Sequence, residues 1–196
     1  MRADAQRLSD TNVATDEQLA AAAKTGSTAA FDQLVERYQD RLLRFLLGRC
    51  NNRADAEDAI QDTFVNAYRY LQSYDSRWRF STWLYRIAIR NAARQSLHPT
   101  AEPVEIADHV DPLASCIAQS DRQNLWLIAK RQLSADAYSA LWLRYAEDLA
   151  LADVARALDR SLPWTKVSLM RSRRRLAAAL RQEAVIAARS EMYDKV

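Results

Sequence analysis

The sequence predicts an all-α fold of two small helical domains, joined by an acidic linker that contains proline. Gly occurs only 2 times and Pro 4 times in 196 residues, whereas a sheet protein needs turn residues about every 8–12 positions. The chain is 49% apolar, which suffices for a packed core. Apolar residues recur at helical spacing on both sides of residues 98–121, but not within them.

The charged residues are distributed unevenly along the chain. Residues 1–97 carry 14 basic and 12 acidic side chains, residues 98–121 carry none and 5, and residues 122–196 carry 14 and 8. A near-neutral front, an acidic connector and a basic rear indicate two domains with different partners. We therefore expect domains at 1–97 and 122–196, with 98–121 as the linker, which holds three of the four prolines.

Four helices are predicted in the first domain. Thr15 is the expected N-cap of a short helix and Ser27 that of a long one, because hydroxyl side chains favour that position. The long helix repeats apolar residues three and four positions apart. A third helix spans about residues 54–71, and a fourth spans 80–97, where the approaching proline stops it.

Four more helices are predicted in the second domain, at 122–132, 135–146, 149–158 and from 162 to about 179. The turn between the last two reads DRS, and Pro163 lies in the first turn of the last helix, where its missing N–H costs nothing. Two short helices joined by a tight turn, the second one basic, are typical of a helix-turn-helix.

The last helix is a candidate reader of duplex DNA. Thr165, Leu169, Ser172 and Leu176 fall on one stripe of its helical wheel, which we expect to pack on the preceding helices. Arginine can take the O6 and N7 atoms of guanine together in a major groove. The candidate contacts outside the stripe are Trp164, Lys166, Val167, Ser168, Arg171, Arg174 and Arg175. The alternative is a solvated helix whose cations favour the negative end of the dipole.

Residues 77–94 interleave aromatic and basic side chains, which is typical of single-strand binding. Bases stack on aromatic rings, and arginines follow the phosphates. The candidates are Arg77, Trp78, Arg79, Phe80, Trp83, Tyr85, Arg86, Arg90 and Asn91, of which the last three are expected at the surface. The alternative is that the aromatic residues form core, since Trp83 and Ile87 lie one turn apart.

The third predicted helix carries an acidic face opposite its expected core stripe of Ile60, Phe64, Ala67 and Leu71. Such a face gains nothing from DNA phosphate, so it faces either solvent or a basic protein surface. The exposed apolar Val65 favours a protein partner. The candidate partner-binding residues are Asp58, Gln61, Asp62 and Val65.

The chain contains DAEDAIQDTFVNAYRYL followed by FSTWLYRIAIRNAARQSL. This stretch resembles the second conserved region of bacterial extracytoplasmic-function (group 4) sigma factors. Their fourth region resembles LSADAYSALWLRYAEDLALADVARAL followed by SLPWTKVSLMRSRRRL. The resemblance spans residues 27–97 and 122–180. It implies a subunit that binds core RNA polymerase, directs it to specific promoters and promotes duplex opening.

Carried over position by position, the resemblance assigns roles to these candidates. Gln61 and Asp62 match the pair that docks on the β′ clamp helices of core RNA polymerase, with Asp58 beside them. The loop at 73–79 matches the segment that captures a flipped base of the −10 element, and the basic helix matches the reader of the −35 element. The strand-opening helix is matched by Trp83, Tyr85, Arg86 and Asn91.

The expected partners are therefore core RNA polymerase (β′ clamp helices and β subunit), promoter DNA (duplex −35 and single-stranded −10) and an anti-sigma factor or another regulator. The last helix departs from the family pattern at 163–168, where a Gly-Thr-Val-Lys-Ser-Arg opening is common. Asp159 stands where a Gly is usual in the turn.

Two other classes of protein remain open on sequence grounds: a stand-alone helix-turn-helix transcriptional regulator and a signalling adaptor that binds protein only.

Neither cofactor nor metal is expected, since Cys50 and Cys116 are far apart and no ligand cluster surrounds the two histidines. We expect no enzymatic activity, because no nucleophile–base pair or phosphate-binding Gly loop occurs. The N-terminus lacks the apolar core of a signal peptide, so a cytoplasmic protein, nucleoid-associated during initiation, is expected.

Overall fold

The computed structural model describes residues 14–95 and 117–193, and its side chains at 14–94 and 125–182. The regular elements in this part of the chain are all helical and no strand occurs in it, which confirms the all-α prediction. A single 3-10 turn, Leu71–Ser73, follows the third helix. The α-helices are α1 Asp16–Lys24, α2 Thr28–Arg49, α3 Arg53–Arg69, α4 Phe80–Gln95, α5 Ile117–Gln132, α6 Ala135–Tyr145, α7 Leu151–Leu158 and α8 Leu162–Tyr193.

Side-chain caps fix where several helices begin. The Thr15 hydroxyl accepts the Gln18 N–H at 3.2 Å, and the Gln18 side chain accepts the Thr15 N–H at 2.8 Å, which forms a capping box. Ser27 caps α2 and Ser134 caps α6, so the predicted starts of all three helices are confirmed. Asn52 caps α3, its side chain accepting the Asp55 N–H.

Two helices are longer than predicted. The α8 helix runs to Tyr193, well past the expected end near residue 179, because its alanine-rich continuation lacks both Gly and Pro. The α5 helix begins at Ile117, inside the segment that was expected to be linker. The α7 helix begins at Leu151, two residues later than predicted, because the Leu149 N–H donates back to the Leu143 carbonyl and Ala150 is extended as the N-cap.

Small residues bring α3 and α4 close together. The buried stripe of α3 is Ala56, Ala59, Thr63 and Ala67, whereas the predicted stripe included Ile60 and Phe64, which are only partly buried at the edge of the core. The prediction was correct for Ala67 and Leu71, which are buried, and missed Ala56, Ala59 and Thr63 because it gave weight to large apolar side chains. A helix surface of Ala and Thr admits a neighbouring backbone more closely than one of Ile and Phe would.

In the C-terminal helices, α8 buries the stripe of residues that was predicted to pack. Thr165, Leu169, Ser172 and Leu176 are all buried, with exposed fractions of 0–5%. They pack on α5, α6 and α7, and the helix α6 lies at the centre of this group with Tyr138 and Trp142 buried.

The N-terminal helices α1–α4 and the C-terminal helices α5–α8 pack directly on one another, with α4 against α7 and α2 against α5 and α6. The Phe45 ring of α2 lies 6.3 Å from the Tyr138 ring and 6.1 Å from the Trp142 ring, centroid to centroid. Gly48 permits the close approach, because a Cβ at this position would overlap the Tyr138 phenol ring. One continuous apolar core therefore crosses both halves.

Candidate nucleic-acid interface

The exposed side of α8 carries a dense group of cations. Lys166, Arg171, Arg174 and Arg175 are exposed, as is Val167 at 41%. Trp164 and Ser168 are half-buried at the border of this side. All seven residues predicted to contact duplex DNA thus lie outside the packed stripe, along about 18 Å of helix at 1.5 Å per residue.

The turn before α8 is tight and its residues are suited to it. Asp159 takes a left-handed conformation with φ 55° and ψ 43°, which Asp tolerates better than most residues. Its N–H donates to the Arg156 carbonyl at 3.2 Å, and the next N–H, of Arg160, donates to Ala155 at 2.9 Å. The Ser161 hydroxyl accepts the Trp164 N–H at 3.3 Å and so caps α8. The helix-turn-helix geometry is therefore kept without a Gly in the turn.

Three of the residues predicted to contact single-stranded DNA are buried. Phe80, Tyr85 and Asn91 are 1%, 0% and 4% exposed, so in this conformation the expectation that they face a ligand is wrong. The Phe80 ring packs edge-on against Tyr38 and Tyr74, at centroid distances of 5.8 and 5.5 Å. The Phe80 side chain is thus part of the core of the N-terminal helices.

Asn91 is a buried polar link between α3 and α4. Its amide donates to the Thr63 hydroxyl at 3.3 Å and its carbonyl accepts from the Asn66 amide at 3.2 Å. The Thr63 hydroxyl donates in turn to the Ala59 carbonyl at 2.6 Å. The signal for this role is its register, since Asn91 lies seven residues after the buried Leu84 and so on the same face of α4.

The other predicted residues of this stretch remain partly or fully accessible. Trp78 is 42% exposed, and Arg77, Arg79 and Arg90 are exposed. Trp83 is half-buried against Tyr74 and Phe80 and Arg86 is half-buried as well. The accessible set is therefore Arg77, Trp78, Arg79, Trp83, Arg86 and Arg90.

Side chains of the loop before α4 fix its shape. The Asp75 carboxylate accepts the Arg77 backbone N–H at 3.0 Å and its guanidinium at 2.6–3.1 Å. The guanidinium bonds, followed by the backbone bond, lower the pKa of Asp75 to about 2. The Tyr74 hydroxyl donates to the Trp78 carbonyl at 2.7 Å, and burial raises the pKa of Tyr74 to about 12. These bonds hold Trp78 on the outside of the loop.

The same loop and α4 contact the C-terminal helices. The Arg156 guanidinium lies over the Trp78 ring, 3.3 Å from its centroid. Arg79 donates to the Asp148 carbonyl at 3.3 Å. Arg86 and Asp159 form an ion pair at 3.4 Å. Three predicted DNA contacts are thus engaged by the other half of the chain.

Glu147 is a functional candidate that the sequence does not reveal. Its side chain is 2% exposed and forms an ion pair with Arg41 of α2. It also accepts the Trp142 indole N–H at 3.3 Å. Burial raises the pKa of the neighbouring Tyr85 well above its ordinary value, and the Glu147 carboxylate raises it further. Because Arg41 lies 106 residues before Glu147, no local pattern indicates this pair.

The acidic face of α3 is exposed, as expected. Asp58, Gln61 and Asp62 are exposed, and Val65 is 55% exposed. Beyond them an apolar groove runs between α2 and α3, with Val65 on its wall. The groove also includes two aromatic residues that sequence reasoning missed, Phe31 and Tyr68, whose rings meet edge-on at 5.0 Å. Tyr68 lies three residues after Val65 along the helix, and this spacing is the signal that could have identified it from the sequence.

Within the described part of the chain, no three or more His, Cys, Asp or Glu side chains are grouped to hold a metal ion. Burial raises the pKa of the Cys50 thiol to about 11, whereas Cys116 lies outside the described residues. Among the helices described, none is both long and apolar enough to cross a membrane.

The chain is similar to known proteins over most of its length. Residues 34–97 match the family model of sigma-70 region 2. The chain is 30% identical over 174 residues to the ECF RNA polymerase sigma-E factor of Haemophilus influenzae, and the alignment covers 81% of this chain and 92% of that protein.

Two solved structures, each 23% identical, share the fold. CnrH in complex with the cytosolic domain of CnrY has a TM-score of 0.65 and covers 85% of this chain and 97% of CnrH. The sigma factor RpoE of Bartonella quintana, in complex with the anti-sigma factor NepR, has a TM-score of 0.60 and covers 77% and 96%.

Proposed function

Because the chain belongs to the extracytoplasmic-function (ECF) sigma factors of RNA polymerase, we propose that its two halves divide the work of such a subunit. A sigma factor binds core RNA polymerase, directs it to specific promoters and promotes duplex opening. In this proposal residues 1–97 bind polymerase and the −10 element, and residues 122–196 bind the −35 element. Residues 98–121 connect them. The chain itself carries out no catalytic step.

The polymerase contact of the N-terminal half is the exposed face of α3. Asp58, Gln61 and Asp62 offer carboxylate and amide oxygens to a basic surface, and Val65 adds an apolar contact beside them. The partner surface is the β′ clamp helices. Carboxylates exposed next to an unpaired apolar side chain support protein docking, since phosphate would be repelled. This exposed face is the observation that carries the proposal, because a regulator that binds DNA alone has no use for it.

The −10 contact is the loop before α4 together with the accessible part of that helix. Trp78 offers a stacking surface for an unpaired base, and the exposed Arg90 can follow phosphates. Arg77 and Arg79 can do the same once they leave the Asp75 carboxylate and the Asp148 carbonyl. Stacking on an aromatic ring contributes about 1–3 kcal/mol per base, which offsets the few kcal/mol that unstacking a base requires.

The −35 contact is the exposed side of α8. A helix whose cations surround an apolar centre of Val167 and Trp164 fits a major groove, where bases lie in front and phosphates on both walls. The C-terminal half also contacts the β subunit in this proposal.

Regulation and location are part of the same proposal. The solved structures of CnrH with CnrY and of RpoE with NepR capture relatives bound to regulatory partners. We infer that an anti-sigma factor or another regulator likewise binds this chain. Its place of action is the cytoplasm, on the nucleoid during initiation.

Charge reversal on α3 tests the polymerase contact. Asp62→Lys is expected to weaken binding to core RNA polymerase at least about tenfold, since like charges then face each other across the interface. Glu36→Lys on α2, also exposed, makes the same change in net charge away from this face and is the matched control. Surface plasmon resonance with immobilised core enzyme measures both. Equal affinities for the two variants would contradict the proposed docking face.

A gel shift separates this function from that of a stand-alone helix-turn-helix regulator, which the relatives disfavour. A promoter fragment is expected to be shifted with high affinity only when core polymerase is present. Tight operator binding by the free chain, unchanged by polymerase, would favour the regulator.

A further inference from the structure

One face of α1 contacts both ends of the −10 loop, residues 74–79, which connects the 3-10 turn to α4. Glu17 and Lys24 lie seven residues apart in α1, so they share a face of the helix and are separated by about 10 Å along its axis. The loop begins at Tyr74 and leads into α4 at Phe80. Each of the two charged side chains of α1 binds one of these ends.

Lys24 binds the start of the −10 loop. Its ammonium donates to the Tyr74 carbonyl at 2.7 Å, and its own backbone carbonyl accepts from the Gln72 side-chain amide at 2.8 Å. The Lys24 side chain is half-buried, and a hydrogen bond from a charged donor is stronger than one between neutral groups. One residue of α1 therefore fixes the point at which the chain leaves the 3-10 turn.

Glu17 binds the end of the −10 loop. The first N–H of α4, at Phe80, has no acceptor within its own helix. Arg79 stands at the N-cap position, and its guanidinium has no acceptor to offer. The Glu17 carboxylate accepts this N–H at 3.2 Å, and its negative charge favours the positive end of the helix. A side chain from another helix thus supplies the cap that residue 79 cannot.

The helix α1 is itself held firmly on α2. The Asp16 carboxylate accepts from the Arg37 guanidinium at 2.7 Å and from the Tyr38 hydroxyl at 2.5 Å. On the other side of the helix, Leu19 and Ala20 are buried in the core. The bonds from Glu17 and Lys24 therefore tie the −10 loop to the packed body of the N-terminal helices.

Both bonds from α1 go to backbone atoms of residues 74 and 80. They fix the path of the loop and use none of its side chains, and Trp78 and Arg79 stay exposed between the two ends. A pocket that selects one flipped base depends on the relative positions of the groups that line it. The two ends of the loop thus control how sharply its exposed middle can select a base.

We propose that Glu17 and Lys24 are positioning residues that set the base preference at the −10 element by fixing the two ends of the −10 loop. The inference rests on the proposed function of that loop. Neither residue needs to contact DNA. When either bond is lost, the loop takes up more conformations and selects the flipped base less sharply, while α8 reads the −35 element as before.

Paired substitutions at each position test this role. Glu17→Ala removes the acceptor and Lys24→Met removes the donor, whereas Glu17→Gln and Lys24→Arg each keep a group that can make the bond. Glu36→Ala, at an exposed position of α2, is the matched control. Thermal denaturation shows which variants fold, and Lys24→Met decides the matter if Glu17→Ala does not fold.

Two measurements follow the loop and its base preference separately. Amide hydrogen exchange by NMR reports how firmly residues 74 and 80 are held and uses no polymerase. In-vitro transcription with core RNA polymerase and a library of random promoter sequences reports the base preference at the −10 and −35 elements independently.

Glu17→Ala is expected to speed exchange of the Phe80 amide, and Lys24→Met that of the Tyr74 amide, each about fivefold or more. Both should lower the discrimination between preferred and other bases at the −10 element at least about fivefold, since a wrong base in a specific site costs a factor of this order or more. The preference at the −35 element should not change. Glu17→Gln, Lys24→Arg and Glu36→Ala should stay close to the unaltered protein.

A uniform fall in transcription from all templates, with the −10 preference intact, would show that the two residues only stabilise the fold and would overturn the proposal. So would unchanged amide exchange in Glu17→Ala and Lys24→Met, or faster exchange with an unchanged −10 preference. Failure of the unaltered protein to direct transcription, or transcription without any −10 preference, would contradict the proposed function instead.

Discussion

At the scale of single residues, a chain of buried hydrogen bonds joins α3 to α4. Asn66 donates to Asn91, Asn91 donates to Thr63, and Thr63 donates to the carbonyl of Ala59. Each bond satisfies a group that would otherwise be buried without a partner, and Thr63 is fully buried. These residues therefore position the helices that carry the two proposed binding faces.

Asn91→Ala is expected to lower the free energy of unfolding by about 1–3 kcal/mol, because Thr63 and Asn66 lose their partner. Urea denaturation followed by circular dichroism measures the change. Arg90→Ala, at the exposed neighbouring position, is the control and should stay within about 0.5 kcal/mol. An unchanged midpoint for Asn91→Ala would mean that the buried link contributes nothing to stability.

The Asp75 carboxyl offers a second test at this scale. Its pKa is lowered to about 2 by the hydrogen bonds from Arg77. A carboxyl with a depressed folded-state pKa stabilises the loop above its ordinary pKa near 4, and this contribution is lost as the pH falls toward 2. NMR titration of the carboxyl carbon should give the low value, and Arg77→Ala should raise it toward the ordinary value near 4 but not all the way, because the bond from the backbone N–H at position 77 remains. A titration near 4 in the unaltered protein would contradict the loop geometry.

At the scale of helices, boundaries that depend on local chemistry follow from the sequence. The N-caps at Thr15, Ser27 and Ser134 were predicted correctly because a hydroxyl satisfies an N–H within the next turn. The buried stripe of α8 was predicted correctly from its spacing. The burial of Tyr85 was not, because its ring packs edge-on against Phe45 of α2, which only the tertiary fold brings near.

The contact between α2 and α6 depends on one missing side chain. Ala has a higher helix propensity than Gly by about 1 kcal/mol, so Gly48→Ala would stabilise an isolated α2. In the folded protein its Cβ overlaps the Tyr138 ring, and a net loss of stability is expected. Thermal denaturation measures it. Gly48→Ala should lower the melting temperature less when residue 138 is already Ala than when it is Tyr. A melting temperature raised by Gly48→Ala would contradict the close approach.

The exposed cations of α8 should set the salt dependence of duplex binding. Arg171→Ala or Arg174→Ala is expected to reduce the slope of log affinity against log salt by about 1 if the arginine contacts a phosphate. Leu180→Ala, an exposed apolar position on the same helix, should leave the slope unchanged. Fluorescence anisotropy at several salt concentrations, with a promoter duplex, decides between them. Equal slopes in all variants would remove α8 from the DNA interface.

At the scale of the whole molecule, the proposed surfaces point to different partners. The acidic face of α3 is exposed for polymerase and the basic side of α8 for duplex DNA. In contrast, Trp78 and Arg86 contact the C-terminal helices. Charge and proline content along the chain indicate two domains and a linker, but not that the halves pack together. That packing depends on pairs far apart in sequence, such as Arg41 with Glu147 and Arg86 with Asp159, and no periodicity encodes such pairs.

The central claim is that this chain gives core RNA polymerase its promoter specificity. In-vitro transcription with purified core enzyme and a library of random promoter sequences tests it most directly. Transcripts are expected only when the chain is added, and the active templates should share an upstream duplex element and a downstream opened element at a fixed spacing. Transcription no greater than that of core enzyme alone, or active templates without any shared element, would contradict the claim.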